Sequence, residues 1–244
     1  MKRIVILGAT SGMVQPLLRS MAEAKNELLL VARSAERLDD LRSDLLVRGS
    51  PRIVTLPADF NESQRAIFEF TNEYFSNFDT VLLSYGTMLD QAQSQIDPDD
   101  AVCELQTNLV SAVALLTLFA RYLESRGSGT IAVITSVAGD RGRRSNYVYG
   151  AAKGGLSIFL EGLRSRLHPY GVRVLTIKAG PVATQMTANM TGVPLIARAD
   201  LVAKDIYKAL ENPQVDVIYT PKRWRWIMAA VKMIPESVFK RLSF

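Results

Sequence analysis

Only one cysteine, Cys103, occurs in 244 residues, so no internal disulfide can form and the chain is compatible with a reducing cytosol. Histidine is equally scarce. The single His168 sits beside Pro169 at a helix end, and no G-x-S-x-G elbow accompanies it, which leaves a serine hydrolase poorly supported. Long apolar runs are missing as well. The run at residues 4–7 stops at Gly-Ala-Thr-Ser-Gly, too short for a secretory signal. The uncharged, largely apolar stretch at residues 105–120 contains Gln106 and Asn108, which argues against a membrane span. No internal repeat or low-complexity linker interrupts the chain. No interleaving of basic and aromatic residues demands nucleic acid, and no metal site is expected. Excess charge is absent from the first 220 residues: the whole net charge of +5 sits in residues 221–244, where six Lys or Arg face Glu236 alone.

What is present is a regular alternation. Seven short runs rich in β-formers (RIVILG, ELLLVA, RIVTL, DTVLLS, TIAVITS, VRVLTI, VDVIYT) are separated by amphipathic helical patterns. One such helix, residues 34–49, carries a stripe of Leu38, Leu41, Leu45 and Leu46 and ends at Gly49. Most strands are apolar throughout, as strands covered on both faces must be. The pattern predicts an α/β fold, a single doubly wound Rossmann domain with a seven-stranded parallel sheet and about six helices over residues 1–220. A basic amphipathic tail follows over residues 221–244.

Strand one runs into Gly8, Thr10, Ser11, Gly12 and Met13. A glycine turn between a strand and a helix lets backbone N–H groups approach a pyrophosphate, although a plain strand–helix turn looks the same. Strand two ends at Arg33, 21 residues after Gly12, where dinucleotide folds read the adenosine ribose. A guanidinium there pairs with a 2′-phosphate that a carboxylate would repel, so NADP(H) is favoured over NAD(H). The bland alternative has Arg33 or Arg37 capping a surface turn. Asp59 suits an adenine edge or a helix N-cap.

Tyr149 and Lys153 stand at i and i+4 and share a helical face. An ammonium beside a phenol favours the phenolate, so the spacing predicts a tyrosine of lowered pKa that gives a proton to an alkoxide or takes it back. Lys153 is also within reach of the cofactor ribose. Ser136, at the end of strand five, is placed to orient a carbonyl. Asn108 puts an amide on an apolar helix, where it needs a partner. Tyr147 has no lysine four residues on and is read as lining the substrate pocket.

In this combination the chain resembles the short-chain dehydrogenase/reductase family over residues 2–220. The resemblance implies an NADP(H)-dependent oxidoreductase that reduces a ketone to an alcohol. It assigns catalysis to Asn108, Ser136, Tyr149 and Lys153, with Asn108 supporting a proton-relay water. Gly8, Thr10, Ser11, Gly12, Met13, Arg33, Asp59, Gly86, Lys153, Val182 and Thr184 would hold the cofactor, the last two at the nicotinamide carboxamide. Departures are Val14 for the third glycine, LSYG for NNAG at residues 83–86, and Ala179 for the proline before Gly180. The rival reading is a non-catalytic NADP-binding or scaffold protein of the same fold. Stretches at residues 139–156 and 186–195 and the tail resemble a branch of the family that reduces a lipid-linked 2-keto pentose. The substrate expected is therefore a small-molecule or lipid-linked carbonyl compound.

Arg141, Arg143 and Arg144 lie between Ser136 and Tyr149 and suit a substrate phosphate, or form a solvated or interface loop. In the tail Trp224, Ile227, Met228, Val231 and Ile234 make a stripe flanked by basic residues. It fits a peripheral membrane contact through residues 222–242, or docking onto protein. A cytoplasmic homo-oligomer, peripheral at the inner face of the membrane if the stripe inserts, is the expected form.

Overall fold

Strands apolar on both faces need helices on both faces, and the chain supplies them. The computed structural model describes residues 1–188 and 195–242. Strands β1 (Arg3–Leu7), β2 (Glu27–Ala32), β3 (Ile53–Pro57), β4 (Thr80–Leu83), β5 (Gly129–Ser136), β6 (Val172–Ala179) and β7 (Val217–Thr220) form one sheet in the order β3-β2-β1-β4-β5-β6-β7. Every pairing is parallel. Alternate residues serve opposite cores. Ile4, Ile6, Leu28 and Leu30 pack with α1 (Gln15–Glu23) and α2 (Ala35–Val47). Val5, Leu7, Leu29 and Val31 pack on the other face, which α3 (Gln64–Tyr74) covers through Ile67. In α2 the buried positions are Leu38, Leu41 and Leu45; Leu46, expected in the stripe, turns 40% of its surface outward because it lies one residue off the buried face.

After β4 come the short α4 (Gln91–Ser94), then α5 (Pro98–Leu105) and α6 (Ser111–Arg126). The last two join through a π-helical turn, Gln106–Val110, into one rod. The rod is long and apolar enough to cross a membrane, yet Leu115, Leu116, Phe119, Ala120 and Leu123 are spent on the core. α7 (Tyr147–Leu167) adds Leu156, Leu160, Leu163 and Leu167 to the same core, and α8 (Ala199–Glu211) adds Val202 and Ile206 to the opposite one. α9 (Arg223–Met233) and α10 (Glu236–Phe239) close the described chain.

The tail stripe is docked on the domain. Trp224 and Met228 are buried with Val137, and Ile227 and Val231 pack against them. The apolar face proposed for a bilayer is therefore already covered by protein. Burial against the loop after β5 and against β7 competes successfully with exposure to water. The outward face of α9 instead carries Trp226 and Met233 among Arg225 and Lys232.

The connection leaves the sheet in one direction at β2 and β3 and in the other at β4 to β7. Beside β1 lies the switch point, and in open parallel sheets ligands bind at the carboxyl ends of the strands there.

Candidate active site

A cleft of 700 Å³ opens at those strand ends. Its floor begins at Gly8, whose φ of +97° and contact with Tyr85 both need glycine: a Cβ would lie 2.6 Å from the Tyr85 nitrogen. The Gly8 and Ala9 N–H groups donate to the Val31 carbonyl at 2.9 and 3.1 Å, which fixes the turn to β2. Gly12 lies across from Thr184, whose Cβ would be 3.5 Å from a Cβ at Gly12. Val14, in place of a third glycine, is fully buried and precedes the first residue of α1. Thr10, Ser11 and Met13 line the cleft with Arg33, Asp59, Gly86, Val182 and Thr184, so all the residues expected to hold a cofactor face one space. Arg37 donates to the Thr10 carbonyl at 3.0 Å and braces the glycine turn, while Arg33 stands exposed at the rim.

The part of the cleft around Asp59 has a feature the sequence did not single out. Asp59 accepts the Asn61 N–H at 2.7 Å, and Asn61 Nδ2 donates to Thr107 Oγ1 at 3.0 Å. Its Oδ1 is then buried without a partner among the described residues. An acceptor left over beside a carboxylate fits a base that presents an amino group. The Tyr85 ring, in the position of the alanine of NNAG, stacks on Phe60 at 4.0 Å, and its hydroxyl meets Ser111 Oγ at 2.8 Å.

Tyr149, Lys153 and Ser136 converge on the other half of the cleft. The phenol hydroxyl stands beside Ser136, whose Oγ accepts the Ala138 N–H at 3.1 Å. Burial pushes the Tyr149 phenol up to about 12; the Ser136 hydroxyl works against this and the Glu104 charge with it. The lowering expected from Lys153 is not found. Lys153 is 4% exposed, its Nζ stands 5.8 Å from the Tyr149 ring centre, and burial brings its own pKa down to about 8, with Glu104 opposing. Desolvation outweighs the pair's mutual attraction, so both groups are held toward their neutral forms.

Asn108 sits in the π-helical turn, an irregularity that recurs at functional sites. Its Oδ1 accepts the Thr87 N–H at 3.0 Å, and its Nδ2 donates to the carbonyls of Thr87 at 2.8 Å and Glu104 at 3.1 Å. The amide thus clamps the loop after β4 to the rod. Asn108 Oδ1 and Lys153 Nζ both crowd Gly86, where a Cβ would be 2.5 Å from the first and 3.0 Å from the second. Glu104 escaped the sequence reading altogether. It is 1% exposed, accepts the Leu89 N–H at 3.0 Å, and burial raises its pKa. Its only sequence signal is a carboxylate four residues before Asn108 on an otherwise apolar helix face.

The arginine loop divides. Arg141 donates to the carbonyls of Val231 and Ile234 and to Glu236, and stacks on Phe239 at 3.7 Å, so it ties down the tail and is not turned to substrate. Unpaired carbonyls at the end of α9 are the stronger attraction. Arg144 and Tyr147 are exposed and stand outside the cleft wall; Tyr147, at the first turn of α7, points away because Tyr149 takes the inward face. Arg143 alone of the three lines the cleft. Two cleft residues, Asn146 and Trp224, had no place in the expected pocket. Most of the stretch at residues 186–195 falls outside the described residues.

Comparison with known proteins follows the same lines. The model of the short chain dehydrogenase family matches residues 2–192. An uncharacterised oxidoreductase of Mycobacterium tuberculosis is 34% identical over 98% of this chain and 96% of its own length. One of Streptomyces coelicolor is 31% identical, covering 99% and 96%. The backbone of a short-chain dehydrogenase from Sphingobium yanoikuyae, solved with NADPH, superposes with a TM-score of 0.83 at 21% identity, covering 97% of this chain and 98% of that one.

Proposed function

Because the chain belongs to the short-chain dehydrogenase family, we propose that it is an NADPH-dependent ketone reductase whose chemistry takes place between Ser136 and Tyr149. The observation that carries this reading is the convergence of Ser136, Tyr149 and buried Lys153 on one cleft. Gly8, Thr10, Ser11, Gly12, Met13, Arg33, Asp59, Gly86, Val182 and Thr184 would hold the nucleotide, with the orphaned Asn61 oxygen at its base. NADPH, when bound, supplies the hydride.

The chain's own residues do the rest. Ser136 and Tyr149 hold the carbonyl oxygen by two hydroxyl donors. Tyr149, neutral because its phenol is pushed up to about 12, gives that oxygen its proton. Lys153 binds ribose and, as ammonium, restores charge balance to the phenolate. Asn108 keeps the β4 loop in register and offers Oδ1 to a relay water. A scaffold protein would have no need to bury Lys153 beside a phenol, so the non-catalytic alternative is the weaker one.

The test is NADPH oxidation, followed optically, against a panel of ketones. Titration by nucleotide fluorescence should show NADPH binding more tightly than NADH. Arg33→Ala should lower NADPH affinity roughly tenfold while leaving NADH almost unchanged, the loss of one charge-assisted phosphate contact. An unchanged preference would place 2′-phosphate recognition elsewhere.

The finer proposal is a lipid-linked or phosphorylated keto-sugar as substrate. It draws on the likeness of residues 139–156 and of the tail to the keto-reductase subunit of decaprenylphosphoryl-ribose 2-epimerase, and on Arg143 at the cleft. We also propose a cytoplasmic protein that meets the membrane surface peripherally, through Trp226, Met233, Arg225 and Lys232 on the outward face of α9. Exposed Val110 on the rod and Ile158 on α7 suit a second copy of the chain. Trp226→Ala with Met233→Ala should reduce sedimentation with anionic liposomes and leave Tm unchanged. Truncation after Thr220 should instead lower Tm and abolish turnover, since it uncovers Val137 and strips Arg141 of its acceptors. Equal liposome binding by the double variant would remove the membrane contact from the proposal.

A further inference from the structure

Four side-chain atoms of the cleft wall are buried with no partner among the described residues: Asn61 Oδ1, Arg143 Nε, Asn146 Oδ1 and Trp224 Nε1. The first belongs to the nucleotide end. The other three come from the loop ahead of α7 and from α9, at the opposite end. Trp224 is the most sequestered, 6% exposed. Its Nε1 lies directly over Gly180, where a Cβ would be 2.0 Å away. Gly180 follows Ala179, and Ala179 is the sheet partner of Ser136. The indole N–H is therefore beside the strand end that carries the carbonyl-binding serine.

A buried donor without an acceptor costs free energy, and such groups are rare in folded proteins. A phenylalanine would fill the same wall against Val137 and Met228 without that cost. A tryptophan over a glycine at this spot makes physical sense when a ligand brings the acceptor. Two donors and one acceptor left over at the substrate end match a molecule that carries several oxygens rather than a hydrocarbon ketone.

Resting on the ketone-reductase reading, we propose that Trp224 is a specificity-determining residue, whose N–H donates to an oxygen on the carbon next to the reacting carbonyl, so that the cleft prefers oxygenated ketones. Asn146 Oδ1 accepts from a further hydroxyl and Arg143 Nε donates to a further oxygen. The tail thus contributes a recognition group to the cleft as well as packing.

The experiment compares 2-hydroxycyclohexanone with cyclohexanone, in the full-length protein and in Trp224→Phe. The variant should lose about tenfold in kcat/KM for the hydroxyketone, the worth of one buried hydrogen bond, and stay within twofold for cyclohexanone and for NADPH affinity. Parallel losses on both ketones, or none, would overturn the inference and leave the reductase reading standing. A loss of NADPH affinity matching the loss of turnover would put the N–H on the nucleotide and overturn it as well. A second readout does not depend on turnover. The chain has two tryptophans, so Trp226→Phe leaves Trp224 as the only tryptophan to excite selectively. With NADP+ bound, its fluorescence should respond to 2-hydroxycyclohexanone and not to cyclohexanone. No response would reject the contact. Absence of NADPH oxidation across the whole ketone panel, with a fluorescence response intact, would strike the reductase reading alone.

Discussion

Tyr149→Phe should lower turnover by roughly 10²–10⁴-fold, the usual worth of a positioned general acid, while NADPH affinity stays within a few-fold. The phenol hydroxyl stands beside Ser136 at the cleft, and burial keeps it protonated across the working pH range. Phenylalanine keeps the ring under the Lys153 ammonium and removes only the proton source. A variant that retained more than about a tenth of the wild-type rate would take acid catalysis away from Tyr149. Tyr147→Phe is the internal control. Tyr147 is exposed on the outer side of the first turn of α7, so its loss should be mild. Equal losses at the two tyrosines would overturn the assignment.

Lys153→Met should abolish turnover and yet stabilise the apoprotein. Burial brings the Lys153 pKa from 10.5 to about 8, so below pH 8 the folded protein holds a charge that the unfolded chain keeps more cheaply in water. A depressed lysine pKa means that the unfolded state binds more protons between pH 8 and 10.5, and wild-type stability rises with pH across that window. Methionine removes the titrating group. Its advantage should be on the order of 3 kcal/mol below pH 8, roughly 5–10 °C in Tm, and should fade toward pH 10.5. Thermal melts of both proteins at several pH values read this directly. In the active wild-type enzyme the same group sets the opposite trend: reduction should decline as pH rises through about 8 and the ammonium is lost. A destabilised Lys153→Met apoprotein at pH 7 would mean that the lysine stem, not its charge, dominates the energetics there.

The parts of the molecule that could be read from sequence are those whose signal is local. Strand positions follow from unbroken apolar runs, and all seven were found because a parallel strand has no polar face to blur the pattern. Tyr149 and Lys153 announce themselves by helical spacing, and Gly8 by its place between strand and helix. The rest depends on contacts between distant segments. Arg141 looks like its neighbour Arg143 until α9, some ninety residues later, arrives with its unpaired carbonyls. Trp224 reads as half of a membrane stripe until Val137 covers it. Glu104 is one acid on a helix, and only the fold brings Lys153 close enough to make its charge matter. The tyrosine's pKa was misjudged for the same reason: spacing reveals the partner but not how much water both lose.

The bond between the loop after β5 and the end of α9 also has a bearing on the order of synthesis. Ser136, Tyr149 and Lys153 leave the ribosome well before Trp224 and the carbonyls that receive Arg141. Domains begin to fold N-terminal part first as the chain emerges. A nascent chain can thus complete its nucleotide end and its acid–base pair while one wall of the cleft is still unmade. If the cleft works as proposed, competence for turnover waits for residues 221–242, and a chain interrupted before them should bind nucleotide without using it.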